Sequence, residues 1–450
     1  MTIEFHPEAT KRFNERAKNL LLCLLPPKFQ KEKRSSFRDD IVTHEIKEED
    51  ILSFGPGREV DYTGRTVSMF FKYENQNIGL FEEDFAKLLK LSEDIQKSGN
   101  LTEKVSTEFI YESIFGWMKD KYIGKMQEEM IDFFVKKCLE EIRLFEIWVP
   151  VAHTIVEEEI SIGIVKIKNL TIEVIDKWEK ELLSVAKDEN HSTSIKKFIE
   201  KERKDKQGRS VAVVKIEAEQ NRAEKLAFEK VEEALSILRL YSAATIFIDA
   251  NSHTTIKGRE NLEKAECYII ENNCIKKHSS ILLSSSEIEW RISKEFIGVI
   301  KKRGWNTFNE LLLSEQRNSF QEKVLNSFML FSRSTLMKNI PDKLVYIFSS
   351  LESILIKNDT EPIQQNLADR IAFAIARDGQ ERIRLVKCIK DSYVHRSKFV
   401  HHGLRANDIN LLNEFIRIAT NFLFSLLINI NNFQNKEEMI NAIEKRKYGV

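Results

Sequence analysis

The sequence predicts an α+β protein: a mixed α/β region over residues 1–316, with room for two subdomains, followed by an all-α helical bundle over 317–450. Three observations predict it. Valine and isoleucine crowd into short runs between residues 146 and 170 and again over 210–218, as strands require. From Arg317 onward, apolar residues recur every three or four positions in long stretches, the period of helices with one buried face. Glycine (15) and proline (7) are sparse among 450 residues, so long turn-rich tracts are not expected.

Taken in order, residues 1–100 read as short helices around a basic polar loop over 28–38, a turn at Gly55-Pro56-Gly57 and a strand over 67–73. Residues 102–145 read as helix, with Phe109, Ile110, Ile114 and Trp117, then Phe133, Phe134, Cys138 and Ile142, at helical spacing. Two or three strands follow over 146–170. Helix returns over 171–206, with the charged run 201–209 read as an exposed loop. After a strand over 210–218, an amphipathic helix spans 221–242, and short strands are expected at 245–249, 267–270 and 281–290.

The C-terminal stretch divides into six helices. The first covers 320–337. Pro341 suits the first turn of the second, whose buried face holds Leu344, Ile347, Phe348, Leu351 and Leu355. The third carries Ile363, Leu367, Ile371 and Ile375. The fourth runs from Gln380 to about His402, where Gly403 can stop it. The fifth starts near Asp408 and runs to about Ile430, and a short sixth occupies 436–447. Short connections between helices of this length imply an up-and-down bundle.

Formal net charge is zero, which alone argues against a polyanionic partner, yet the charge is unevenly spread. From Arg317 to the end there are 20 Lys/Arg against 14 Asp/Glu, so the remainder carries the opposite balance. Between Arg382 and Arg405 seven basic residues face a single acid, Asp391. Such asymmetry can mark a surface that meets a polyanion, although a solvated basic helix looks the same. The five cysteines include no CxxC pair, which fits a reducing cytoplasm better than a disulfide framework or structural zinc. The N-terminus lacks a signal-peptide pattern. No apolar run approaches the roughly 20 residues that span a bilayer, the longest being 422–430, so no membrane partner is expected.

Chemistry concentrates in the fourth helix of the bundle. Val386, Ile389, Tyr393, Arg396 and Val400 are spaced as a seam facing other helices, and an arginine in a seam is costly unless paired or open to a wet cleft. His401 lies five residues later, about 140° around an ideal helix, while His395 and His402 face the back. An arginine binds and stabilises phosphoryl oxygens, and a histidine can take the proton of an RNA 2′-hydroxyl. One copy would not easily bring Arg396 and His401 onto one phosphate; two copies about a two-fold axis would pool both pairs. A terminal histidine favoured by the helix dipole and an arginine paired with Asp391 or Glu352 are the bland alternative. No metal ligand set is evident, and the stretch 249–253, with Asp249 and His253, reads as a polar loop.

Arg396-Ser397-Lys398-Phe399-Val400-His401, with His402-Gly403 behind it, resembles the R-x4-6-H motif of HEPN domains, and residues 320–430 resemble the Apea-like HEPN branch. The resemblance includes Leu351-Glu352-Ser353-Ile354-Leu355 and the stretch 367–373. It implies a metal-independent endoribonuclease, without cofactor, acting on RNA as a homodimer through the helical bundle. Arg396 and His401 match the functional arginine and histidine. Lys398, Ser397, Glu352 and His402 become supporting or substrate-binding residues. Active members often carry Asn, Asp or His where this chain has Ser397. The resemblance further implies a cytoplasmic role in anti-phage defence or toxin-like growth arrest, with a phage-derived trigger or regulatory partner acting on the N-terminal region. A catalytically inactive HEPN protein used for RNA binding or dimerisation is the alternative.

Overall fold

A computed structural model describes residues 3–24, 52–53, 57–61, 63–259, 264–271, 274–282, 289–358, 360–404 and 408–449. The expected basic loop at 28–38, Gly55 and Pro56 of the expected turn, and Arg405 lie outside these residues. The chain is α+β with a helical C-terminal region. It forms two compact units: Met1–Phe145 with Ile216–Leu226, and Glu146–Lys215 with Ala227–Val450. The boundary between them is not at 316/317. Residues 146–215 and 227–316 belong to the same unit as the C-terminal helices, which only through-space packing could reveal.

In the first unit, helix α1 (Pro7–Leu21) precedes an antiparallel sheet of β1 (Leu52–Ser53), β2 (Arg58–Val60), β3 (Thr66–Tyr73) and β4 (Gln76–Phe81), in that order. Glu74 and Asn75 both take positive φ, which closes the two-residue turn between β3 and β4. Helices α2 (Glu82–Ser98), α3 (Thr107–Tyr122) and α4 (Met130–Glu141) complete the unit. Phe13, Leu80, Phe85, Leu88, Ile110, Trp117 and Phe134 form its core. Glu219 takes the backbone N–H of Ser106 at 3.1 Å on Oε1, together with that of Arg222 at 2.9 Å. The segment 216–226 is thereby tied to the start of α3.

The second unit opens on strands, four where two or three were expected: β5 (Arg143–Ala152), β6 (Thr154–Val156), β7 (Ile160–Ile162) and β8 (Val165–Asn169). Helices α5 (Ile172–Ser184) and α6 (Glu189–Lys206) follow. The charged run expected as a loop from 201 is helical as far as Lys206, because Arg203 lies along α5 and bonds Asp176 (2.6 Å) and Glu179 (3.0 Å). Strand β9 (Ser210–Ala218) then enters a five-stranded sheet ordered β10-β5-β9-β8-β7, where β10 is Thr255–Ile256. Between them lies α7 (Gln220–Arg239). Residues 245–249 are not a strand: a 3-10 turn (Ala243–Thr245) stands there, closed by the Thr245 hydroxyl on the Ser242 carbonyl at 2.9 Å. Strands β11 (Lys264–Glu271) and β12 (Cys274–Leu282) pair as a hairpin, and β13 (Trp290–Ile292) runs parallel to β6. Helix α8 (Lys294–Ile300) leads through a π turn into α9 (Asn306–Leu313). Gly304 makes that turn with φ +84, and a Cβ there would lie 2.5 Å from Leu427 Cδ2.

The six C-terminal helices are α10 (Ser319–Ser334), α11 (Ile340–Leu355), α12 (Ile363–Ile375), α13 (Gly379–His402), α14 (Ile409–Ile428) and α15 (Lys436–Tyr448). Their ends follow local chemistry. Asn318 and Gln321 form a reciprocal capping box on α10, and Asp378, Asp408 and Asn435 cap α13, α14 and α15. Gly403, at φ +66, stops α13 in the left-handed conformation. Phe328, Ile347, Phe348, Leu351, Leu367, Ile371, Ile389, Phe415 and Phe422 are fully buried, and the Phe348 and Phe415 rings stack at 4.6 Å.

Helix α14 contains most of the apolar run at 422–430. It is long and apolar enough to cross a membrane by length and composition, although half of that stretch is buried inside the unit. Its scattered polar positions, such as Asn413, Glu414 and Arg417, hide this from a search for an unbroken apolar run.

Lys343 of α11 is 1% exposed, and its ammonium donates to the Ala250 carbonyl. Burial pulls its pKa down to about 8, against the pull of Asp249. Below pH 8 both folded and unfolded chains carry the proton, and the cost of the buried charge is fully present. Between pH 8 and 10.5 the unfolded chain holds the proton more often, so stability rises with pH. The rise is on the order of 3 kcal/mol. Urea denaturation across this range should show that rise, and Lys343→Met should remove it.

Candidate functional site

Helix α13 carries four of its residues fully against the bundle: Leu385, Cys388, Ile389 and Ser392. This row defines its core side, slightly rotated from the seam expected at Val386, Ile389, Tyr393, Arg396 and Val400. Of that seam only Ile389 is buried throughout, and Val400 is 48% exposed. The reason is that burial ends at Ser392: the last turns of α13 run on without a fully buried residue. The expectation that Val400 faces a partner helix within the chain is therefore wrong.

Arg396 comes one turn after Ser392 and continues the core row, half-buried. Its guanidinium carbon lies 5.6 Å from the centre of the Tyr393 ring, a cation–π contact. Its Nε is buried without a hydrogen-bond partner. The Tyr393 ring in turn meets Phe348 edge-on at 5.1 Å, which anchors this cluster to the core.

Glu352 of α11 faces the same cluster. Burial raises its carboxyl pKa, and the positive charge of Arg396 opposes that rise. Its Oε1 is buried and unbonded. Burial also raises the Tyr393 hydroxyl, with Glu352 adding to the shift and Arg396 offsetting it. Arg396, Tyr393 and Glu352 thus form one electrostatically linked group, as a pairing of Arg396 with Glu352 would require, though without direct ion-pair contact in the described residues.

His401 is not part of that group. Nine residues after Ser392, it falls about 180° around the helix from the core row, in the last turn, and is exposed. The His402 ring lies 6.4 Å from it, edge to face, and is exposed too. Lys398 is exposed and Ser397 half-buried. The structure therefore brings Glu352 to Arg396, and it holds His401, His402 and Lys398 on other faces of the helix. Around His401 the outward side of α13 is mixed: Val394 (39% exposed) and Ile383 (66%) lie close to its direction beside the exposed Lys387 and Lys398, while Val400 (48%) stands about 120° round from Val394. A groove of about 590 Å³ lined by Phe373, Ile383, Val386 and Lys390 continues that side.

Tyr393 is the member that sequence reasoning overlooked, having placed it only as a seam residue. An aromatic residue one turn before an arginine on a helix was the available signal, since i and i+3 side chains meet. Among the described residues no group of three or more His, Cys, Asp or Glu is arranged to hold a metal. Burial pushes the thiols of Cys138 and Cys388 up to about 12, so both stay protonated near neutral pH.

Comparison with protein-family models finds no match, and comparisons with curated proteins and with solved structures find none either.

Proposed function

We propose that the protein is a metal-independent endoribonuclease whose C-terminal helices act as a HEPN-type bundle in a dimer. The observation that carries this reading is Arg396: a guanidinium set half-buried on the core side of α13, its Nε desolvated and unbonded, five residues before an exposed terminal histidine. A cation held in this way strengthens where negative charge develops nearby, because little water screens it. Tyr393 and Glu352 position it.

The chemistry follows from RNA itself. His401 accepts the proton of a 2′-hydroxyl, and the 2′-oxygen attacks the adjacent phosphorus. The bond from phosphorus to the 5′-oxygen breaks, leaving a 2′,3′-cyclic phosphate. The departing 5′-oxygen takes a proton from the histidine of the second copy. Arg396 stabilises the charge on the phosphoryl oxygens, and Lys398, Ser397 and His402 hold the flanking strand. Because His401 and Arg396 face different sides of α13, one copy holds half of the site. A second copy would pack on the outward part of α13, where Val394, Val400 and Leu404 are exposed. Anti-phage defence or growth arrest in the cytoplasm, with a trigger acting on the N-terminal region, is the setting we propose for this activity.

Purified protein incubated with RNA in EDTA should yield fragments ending in cyclic phosphate. His401→Ala, at an exposed position, and Arg396→Ala should each slow cleavage on the order of 100-fold or more. The second reading, a catalytically inactive bundle used for RNA binding or dimerisation, is favoured by the engagement of Arg396 with Tyr393 and by the nearby Glu352 carboxylate. RNA retention without cleavage, unchanged in His401→Ala, would establish that reading and end the first.

A further inference from the structure

A cleft of about 340 Å³ lies between the residues that follow α7, the turn Lys301–Trp305 that joins α8 to α9, and the C-terminal half of α14. All of these belong to the second unit. Its inner wall is apolar. Leu240, Ile300 and Leu427 are buried there, and the Phe424 ring meets the Tyr241 ring edge-on at 5.7 Å. Its mouth is apolar too, with Ile246, Val299 and Ile428 exposed around it.

Two cations stand beside this mouth. Lys302 and Arg303 line the cleft from the turn, are exposed, and make no ion pair among the described residues. Among those residues no Asp or Glu lines the cleft. The turn that carries the two cations is held from both sides. The Tyr241 hydroxyl donates to the Arg303 carbonyl at 3.0 Å, and Gly304 lies so close to Leu427 that a Cβ would not fit between them. The Thr245 and Thr420 hydroxyls in the lining already donate to carbonyls of the chain, at 2.9 and 2.8 Å.

We propose that this cleft binds a medium-chain fatty carboxylate, its chain against Leu240, Phe424 and Leu427 and its carboxylate at Lys302 and Arg303. An apolar wall gains from each methylene that it takes out of water. A carboxylate accepts hydrogen bonds from a guanidinium fork and an ammonium together. The volume is near the lower end of small-ligand sites, on the order of 300–1,000 Å³, which suits a single chain. A neutral alkyl ligand would leave both cations without a counter-charge, and a small inorganic anion would leave the apolar wall wet. A fatty carboxylate answers both. Because the turn is already anchored, little backbone ordering opposes binding. The site shares no residue with the Arg396 cluster and stands whether or not the bundle cleaves RNA.

The test is calorimetric titration of the full-length protein with octanoate, 1-octanol and butanoate. Octanoate should bind at sub-millimolar concentration. Octanol should bind about tenfold more weakly or worse, for want of the charge. Butanoate should bind weaker on the order of 100-fold, because four methylenes fewer are buried. Two full-length variants at exposed positions, each checked for an unchanged thermal melt, locate the site. Lys302→Gln/Arg303→Gln should weaken octanoate about tenfold and leave octanol unchanged. Val299→Glu, which sets a carboxylate at the mouth, should weaken octanoate by at least as much. No binding at millimolar octanoate, or binding unchanged in either variant, would overturn the site. Octanol binding as tightly as octanoate would overturn the carboxylate assignment in favour of a plain apolar ligand. Retention on phosphatidylglycerol vesicles that Val299→Glu abolishes, without octanoate binding, would overturn it in favour of a membrane surface. Self-association in sedimentation that Val299→Glu abolishes, again without octanoate binding, would overturn it in favour of a second copy.

Discussion

Glu232→Ala is expected to cost the second unit about 3–5 kcal/mol, although the residue removed is a partly exposed glutamate. The reason is its partner. Arg239, at the end of α7, is 0% exposed. Its Nη2 donates to Glu232 Oε1 at 2.6 Å and to Ser236 Oγ at 2.8 Å, its Nη1 to the Thr254 carbonyl at 3.1 Å, and its Nε to Ser332 Oγ at 3.3 Å. One side chain thus joins α7, the segment before β10 and α10. Taking away Glu232 leaves a buried guanidinium with no counter-charge, and dipoles alone do not repay its desolvation. Arg239→Met should cost less. It removes the buried charge, fills a similar volume, and leaves Glu232, whose side chain is 36% exposed, free to rehydrate. Urea denaturation of the two variants decides the matter. If Arg239→Met proved the more damaging, hydrogen bonds rather than charge balance would be what the site supplies.

The second large effect belongs to Arg370 on α12. Its Nη1 donates to the Leu355 carbonyl (2.6 Å) and Glu361 (2.8 Å), and its Nη2 to Glu361 (2.9 Å) and Glu444 (2.7 Å). The residue is buried at 6% exposure, so this fork closes the end of α11, the turn before α12 and helix α15 together. Arg370 beside Glu361 holds that carboxyl down to about 2. With the folded pKa below the unfolded one, the stabilisation is complete above pH 4.5 and is lost as pH falls toward 2. It amounts to about 3 kcal/mol. Arg370→Ala should therefore destabilise the protein at neutral pH by about 3–5 kcal/mol and flatten the acid limb of its stability curve. A variant whose acid limb kept its wild-type slope would refute the assignment to Glu361.

Much of the helical region was legible in the sequence because its signals are local. Asp378 and Gly403 bracket α13, Asp408 opens α14, and Pro341 sits in the first turn of α11. Each acts within one turn of its own position, so no knowledge of neighbours is needed. Strand β9 was legible for a similar reason, its valines and isoleucines standing apart from the charged run before them. The readings that failed depended on partners. Residues 201–206 look like loop until Arg203 is seen bonding α5. Residues 245–249 look like strand until the Ser242–Thr245 hydrogen bond closes a turn there. Val400 fits the seam by spacing, yet among the described residues of α13 none beyond Ser392 is fully buried.

The candidate site divides along the same line. Arg396 stood out from spacing alone, as a charge in an apolar seam, and its angle to His401 is a property of any α-helix. The spacing of Tyr393 and Arg396 allowed their contact, but nothing in the sequence shows that Glu352 rather than Asp391 shares the field of the guanidinium. Helix period and capping, set by covalent geometry and nearest neighbours, were written in the sequence by itself. The division into two units, the burial of Arg239, Lys343 and Arg370, and the charge balance around Arg396 were decided only by tertiary structure. Desolvation and Coulomb energy depend on distances between residues far apart in the chain, and those distances exist only once it folds.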